Sequence, residues 1–109
     1  ATGAVKILAV STARRSPYLP DAPTLKESGI DVEADAWNGL IAPAGTPRPI
    51  IERISKDVAE IIRQPTLREK LATQLMEPVG SSPDELRARM DGEIERWAPV
   101  IKAANITLN

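Results

Sequence analysis

The side chains that could carry out chemistry in this sequence are few and of limited types. The 109 residues include neither His nor Cys, which excludes imidazole acid–base relays, thiol nucleophiles, disulfides and zinc sites with nitrogen or sulfur ligands. Closely spaced carboxylates occur at Asp31, Glu33, Asp35, Glu93 and Glu95. Two-carboxylate catalysis needs acids facing each other across about 5–10 Å. The first three recur at period two, so we interpret them as a solvent-facing row.

Two short polar segments contain residue types suited to holding a small ligand. Ser11, Thr12 and residues 14–16 could bind a carboxylate through hydroxyl and guanidinium groups, although a solvated loop is the favoured interpretation. Trp37 and Asn38 combine a flat apolar surface with an amide, as small-ligand clefts often do; core packing of Trp37 is the alternative. We predict Trp37 and Asn38 as ligand-binding residues and predict no catalytic residue.

Gly39 and Gly45 flank a change from an apolar run to a helical pattern. The start of a helix after a strand is a natural anion site, because its free N–H groups and dipole favour negative charge. A tight strand-to-helix turn explains the same glycines more simply. No phosphate-loop lysine and no complete glycine fingerprint is present, so we predict no nucleotide, no other cofactor and no metal.

Charge and composition exclude two further classes of partner. The formal net charge is −1 and aromatic residues make up 3% of the sequence. Nucleic-acid binding requires a basic surface and aromatic stacking platforms, so it is excluded. No apolar run approaches the roughly 20 residues that span a bilayer. No leader pattern is visible, so the signal peptide of an exported protein would lie outside this sequence.

The elements that must position these residues begin with two predicted strands around a short helix. Residues 6–10 and 37–43 are apolar runs typical of buried strands. Between them, Thr24 and Glu27 have the spacing of a capping box and Gly29 is a stop signal, which together predict one or two helical turns.

Three amphipathic helices are predicted after the second strand. The first spans 47–63, with Thr46 as its cap and isoleucines along one stripe. The second starts at Thr66, and the third follows a start signal at Ser82 and Glu85. On the third, Trp97 belongs to the apolar stripe and is assigned to the core, Pro99 is expected to kink the helix, and a short strand could follow at 105–107.

This order of elements leaves apolar surface without a partner. Two strands do not make a stable sheet alone, and three amphipathic helices need something to cover. The chain is therefore either a mainly helical domain with a minimal sheet or part of a larger α/β protein.

Several passages resemble one family. They are residues 8–11 (LAVS) with Arg15 and Ser16, 19–29 (LPDAPTLKESG), 37–47 (WNGLIAPAGTP) and 93–104 (EIERWAPVIKAA). They occur in the order found in the tripartite tricarboxylate transporter receptors, also called Bug proteins, and cover essentially the whole chain. The resemblance implies an α/β fold, namely the C-terminal part of a two-lobe periplasmic-binding-protein fold. It assigns residues 1–36 to the second lobe, and residues 37–109 to the crossing strand and C-terminal helices of the first.

The same resemblance implies a function and a set of partners. It predicts a periplasmic, non-enzymatic receptor for a small carboxylate solute, working with membrane transporter subunits. Because most ligand contacts of that family precede this segment, the isolated chain is expected to bind solute weakly and to cover its apolar surface by self-association. The alternatives are a self-contained helical interaction domain without a small-molecule ligand and, with little support, a carboxylate-dependent hydrolase or transferase.

Overall fold

The computed structural model describes residues 4–107 and contains three α-helices. They are α1 (Arg48–Ile62), α2 (Pro65–Thr73) and α3 (Pro83–Ala103). Each helix lies where the apolar periodicity and the start signals predicted it. The three predicted amphipathic helices are therefore confirmed.

The predicted strand–short helix–strand arrangement is not confirmed. Within residues 4–107 no strand forms, and residues 6–10 and 37–43 contain only one isolated parallel bridge, between Val10 and Thr24. A strand exists only as part of a hydrogen-bonded ladder with a neighbour. These two segments have strand-like sequences but find no neighbouring strand, so neither forms a ladder.

The chain divides into two compact units, Ala1–Asn38 and Gly39–Asn109. The first unit is organised by turns and backbone hydrogen bonds, and the second contains all three helices. The Trp-Asn-Gly passage that suggested a ligand site is thus divided between the last two residues of one unit and the first residue of the next.

A single helical turn at residues 24–29 is the best-defined element of the first unit. The Thr24 hydroxyl accepts the Glu27 amide at 3.1 Å, and the Glu27 carboxylate accepts the Thr24 amide at 2.7 Å, which is the predicted capping box. At the other end, Gly29 has a φ of 85° and the Ile30 amide donates back to the Leu25 carbonyl. That backbone is a Schellman stop, which requires left-handed geometry at the glycine. The predicted short helix is therefore one turn, too short to propagate.

The entry into α1 differs from the prediction in its capping residue. Thr46 was expected to cap the helix, but its amide and its hydroxyl both donate to the Pro43 carbonyl, at 3.2 and 2.8 Å. Gly45, with a φ of 84°, allows this tight turn. Pro47 is the N-cap instead, and it has no side-chain acceptor. The hydroxyl of Thr46 is used to close the turn before the helix begins.

The helix α3 has the strongest local start signal in the chain. Ser82 accepts the Glu85 amide and the Glu85 carboxylate accepts the Ser82 amide, so the predicted capping box is formed. The helix continues through Pro99 to Ala103. It ends on Asn105, whose φ is 52°, with the Ile106 amide donating to Ile101 in another Schellman pattern. The structure forms no short strand at 105–107.

Very little of the described chain is buried. The two buried residues among 4–107 are Ala22 and Thr24, and no described residue of the three helices is fully buried. Trp97, which was assigned to a core, is half-buried, and its indole N–H donates to the Glu93 carboxylate at 2.6 Å. None of the described helices is both long enough and apolar enough to cross a membrane.

Two glycines provide a test of the packing around α1. Gly80 has a φ of 65°, and a Cβ there would lie 3.2 Å from the Ile62 Cγ2. Gly92 lies inside α3 with open space around it. We expect Gly80→Ala to destabilise the helical unit by about 1–2 kcal/mol, and Gly92→Ala to stabilise it by roughly 0.5–1 kcal/mol through higher helix propensity.

Urea unfolding followed by far-ultraviolet circular dichroism measures both changes. The pair is matched in chemistry, since each substitution adds one methyl group. Equal effects of the two substitutions would contradict the described approach of Gly80 to α1.

Candidate functional site

The described part of the first unit contains an open groove formed by two backbone segments. Its lining residues come from 9–12 on one side and 34–36 on the other: Ala9, Val10, Ser11, Thr12, Ala34, Asp35 and Ala36. Ser11 joins the two segments, because its carbonyl accepts the Ala34 amide at 2.8 Å and its hydroxyl donates to the Ala34 carbonyl at 2.6 Å. Three alanines keep the walls free of bulky side chains. The groove is therefore a backbone-lined surface with small side chains.

The wall at residues 9–12 is held in place from its other side by the single helical turn. The Val10 amide donates to the Pro23 carbonyl, and the Leu25 amide donates to the Val10 carbonyl, both at 2.8 Å. Val10 is thus fixed to the start of the turn, and Ser11 follows it directly into the groove. The capping of the turn and the shape of the groove are mechanically connected through these two backbone hydrogen bonds.

A guanidinium–carboxylate pair stabilises that turn. Arg15 Nε lies 3.1 and 3.0 Å from the two Glu27 carboxylate oxygens, and Arg15 Nη1 donates to the Pro20 carbonyl at 3.1 Å. The Arg15 hydrogen bond, followed by the Thr24 amide, lowers the pKa of Glu27 below its usual value. Arg15, one of the residues considered for carboxylate binding, therefore has a structural partner within its own unit.

The groove offers hydrogen-bonding groups but only one wall. Its volume is about 560 Å³, within the range of small-ligand sites, which enclose most of a ligand's surface. It opens widely to solvent, so a bound molecule would keep much of its surface in water. The Ser11 and Thr12 hydroxyls already donate to Ala34 and to the Arg14 carbonyl. They retain acceptor capacity, and Asp35 adds a negative charge at the rim.

Trp37 and Asn38 lie immediately after the groove wall at 34–36. They belong to neither a helix nor a turn, Trp37 is 38% exposed, and Asn38 is exposed. They are not among the residues that line the groove. Their role as ligand-binding residues stays a prediction. Sequence reasoning considered Ser11 and Thr12 but missed the facing segment at 34–36, because nothing local signals a contact across 23 residues.

The carboxylate sets form no catalytic or metal-binding cluster. Glu93 accepts the Trp97 indole N–H and pairs with Arg89 at 3.8 Å along one face of α3. Asp31 is almost fully exposed and lies 3.8 Å from the Lys26 ammonium. Among residues 4–107 no group of three or more acidic side chains is positioned to hold a metal ion. These carboxylates act as surface and helix-face partners.

Comparison with known proteins identifies the family. A family model described as the tripartite tricarboxylate transporter family receptor matches residues 1–106. The chain belongs to this receptor family. The resemblance drawn from the separate sequence passages is thus confirmed over nearly the whole length of the chain.

Individual relatives give the same result and a measure of coverage. A UPF0065 protein of Agrobacterium vitis is 38% identical over 104 residues, and the protein BugT of Bordetella pertussis is 32% identical over 108 residues. The solved periplasmic binding protein BugD shares 32% identity with a TM-score of 0.72, over 90% of this chain and 34% of BugD. The chain covers 92% and 98% of itself in the first two matches but only 30% and 33% of those relatives. It therefore spans about a third of the length of these receptor-family proteins.

The lowered pKa of Glu27 makes the turn of this receptor-family chain sensitive to acid. A carboxylate whose folded-state pKa is depressed contributes stability above its unfolded pKa and loses it as the pH falls through the folded value. We expect the protection of the Thr24 amide against hydrogen exchange to decrease across that acidic window. Glu27→Gln should weaken the protection at neutral pH and remove its pH dependence.

Amide exchange monitored by nuclear magnetic resonance provides the measurement. Asp31→Asn is the matched control, because it neutralises an exposed carboxylate that does not cap the turn. An unchanged acid response in Glu27→Gln would contradict the role given to this carboxylate.

Proposed function

We propose that this chain forms part of an extracytoplasmic solute-binding receptor for a small carboxylate, taken up by a tripartite tricarboxylate-type transporter. The supporting observation is the family match over residues 1–106, which is accompanied by a backbone-lined groove in the first unit. Membrane transporter subunits are the proposed downstream partners and the periplasm is the proposed location. BugD, which shares the fold of this segment, is a periplasmic binding protein.

The chemistry of the groove supports binding rather than catalysis. It has hydroxyl and backbone groups but no nucleophile–base pair, since the sequence lacks His and Cys and the described carboxylates have structural partners. Backbone amides and hydroxyls bind carboxylates through neutral or charge-assisted hydrogen bonds without chemical change. Asp35 at the rim disfavours a second carboxylate close to it, so a carboxylate would lie toward Ser11.

The two units correspond to the two lobes in this proposal. Residues 1–36 would belong to the second lobe, and residues 37–109 to the crossing segment and helices of the first. The division of the chain between Asn38 and Gly39 supports a boundary at this position. Trp37 and Asn38 would then lie where the chain passes between lobes, the usual place of a cleft ligand.

Solute binding should require polypeptide beyond this chain. The groove supplies one wall, so we expect calorimetric titration of the isolated chain with citrate, glutamate or aspartate to show no micromolar affinity. A chimera in which this chain replaces the matched third of BugD should bind one of these carboxylates. Asn38→Ala and Trp37→Ala in that chimera should each weaken binding about tenfold, equivalent to about 1.4 kcal/mol.

Lys56→Ala is the control for these variants, because Lys56 is exposed on α1 in the other unit. Micromolar binding by the isolated chain would contradict the need for a second wall. Chimera affinities unchanged by both substitutions would remove Trp37 and Asn38 from the site.

The exposed apolar surface also predicts the behaviour of the isolated chain. Nineteen large hydrophobic residues are exposed, more than a single small chain keeps in water without associating. We expect light scattering to show concentration-dependent association, which Ile54→Glu reduces and Lys56→Glu leaves unchanged. A monomer at all accessible concentrations would contradict this prediction.

A self-contained helical interaction domain is the alternative function. Such a domain needs its own core to stand alone, and no described residue of the three helices is fully buried. The receptor proposal accounts for this lack of a core and the alternative does not.

A further inference from the structure

Helix α1 has two apolar edges that differ in burial. Ile51, Val58 and Ile62 are half-buried on the edge nearer the rest of the helical unit, where α1 contacts both α2 and α3. The second edge, which we call the outer edge, is about half exposed in each of its members: Ile50, Ile54 and Ile61. At 3.6 residues per turn these three share one narrow stripe. The neighbouring helices therefore cover only one of the two edges.

The segment just before α1 has unused capacity of a different kind. Residues 39–42 have neither helix nor turn, and the structure gives the backbone of Leu40, Ile41 and Ala42 no hydrogen bond among the residues it describes. Leu40 is 69% exposed and Ile41 is 85% exposed. Adjacent residues of an extended chain point to opposite faces. An extended conformation would thus be apolar on both faces.

A segment that is apolar on both faces and has free backbone groups is typical of an inner strand of a parallel sheet, which helices cover on both sides. The tight turn closed by Thr46 on Pro43 connects this segment directly to α1. In a strand–turn–helix unit, the helix packs its apolar edge onto the sheet that contains its own strand. One sheet would therefore satisfy both the backbone of 39–42 and the outer edge of α1.

We propose that residues 39–42 and the outer edge of α1 dock together onto a parallel β-sheet supplied by the remaining two thirds of a family receptor. The chain spans 30% and 33% of two relatives and 34% of BugD, so a receptor of that length contains enough polypeptide for such a sheet. This inference rests on family membership and on these two surfaces, and it needs no solute.

Other occupants satisfy only one of the two surfaces. A partner helix could cover the outer edge of α1, but it offers no backbone ladder to residues 39–42. A single added peptide strand could pair with 39–42 and would leave the isoleucines exposed. A second copy of the chain brings the same unpaired segment and the same exposed edge, without additional strands. A multi-stranded sheet supplies both a ladder and an apolar face.

The test compares the isolated chain with the chimera in which it replaces the matched third of BugD, both without solute. Hydrogen exchange measured by mass spectrometry should show residues 39–42 unprotected in the isolated chain. In the chimera, their exchange should slow by at least about a hundredfold, because ladder hydrogen bonds open only with local unfolding.

A pair of charge substitutions tests the outer edge independently. Ile54→Glu should clearly lower the denaturation midpoint of the chimera, whereas Lys56→Glu, on the exposed polar side of α1, should leave it nearly unchanged. In the isolated chain the two variants should have similar far-ultraviolet spectra and melting curves.

Three results would overturn the proposal. Residues 39–42 could exchange equally fast in a folded chimera, or Ile54→Glu could be tolerated as well as Lys56→Glu there. Protection that appears in the isolated chain as its concentration rises would assign the surface to a second copy. A chimera that stays unfolded where BugD folds would show that this chain does not complete the sheet. Failure of solute binding alone would leave the docking proposal standing.

Discussion

Amphipathic helices keep their positions only when their apolar faces are covered, and this constraint governs the whole chain. Burial contributes about 25 cal/mol per Å² of apolar surface, while each ordered residue loses about 1–2 kcal/mol of backbone entropy. Residues 4–107 contain two buried residues, neither of them large. Half-buried contacts among α1, α2 and α3 therefore carry most of the apolar stabilisation, and the outer edge of α1 contributes almost nothing until something covers it.

Polar and backbone interactions compensate for the small core in the first unit. Thr24 is buried, and it takes part in the bridge to Val10 and in the capping box with Glu27. Arg15 reaches Glu27 across a loop that contains Pro17 and Pro20, whose fixed φ angles limit the unfolded chain. Exposed ion pairs are individually weak. Their value here is geometric, because they hold the wall from which Ser11 reaches Ala34.

Local signals in the sequence predicted local structure well. The capping boxes at Thr24 and Ser82, the stop at Gly29 and the three helices depend on residues within a few positions of each other, and all of them form. Non-local features were not predictable in this way. The strand-like run at 37–43 forms no ladder, because a ladder depends on a neighbour. The contact of Ser11 with Ala34 also depends on how distant segments meet, which neither residue type indicates.

The end of α2 shows the same dependence in a single residue. Leu75 has a φ of 56° and closes the helix in a Schellman pattern, with the Met76 amide donating to the Leu71 carbonyl. A branched side chain in this left-handed region costs about 1–2 kcal/mol, which glycine would avoid. Leu75 is nevertheless 60% exposed, so the chain by itself gains little burial to offset the strain. Full burial of a leucine contributes about 1.5–3 kcal/mol, enough to reverse the balance. A leucine at this position is therefore favourable only where other polypeptide covers it, which is the same condition that the outer edge of α1 imposes.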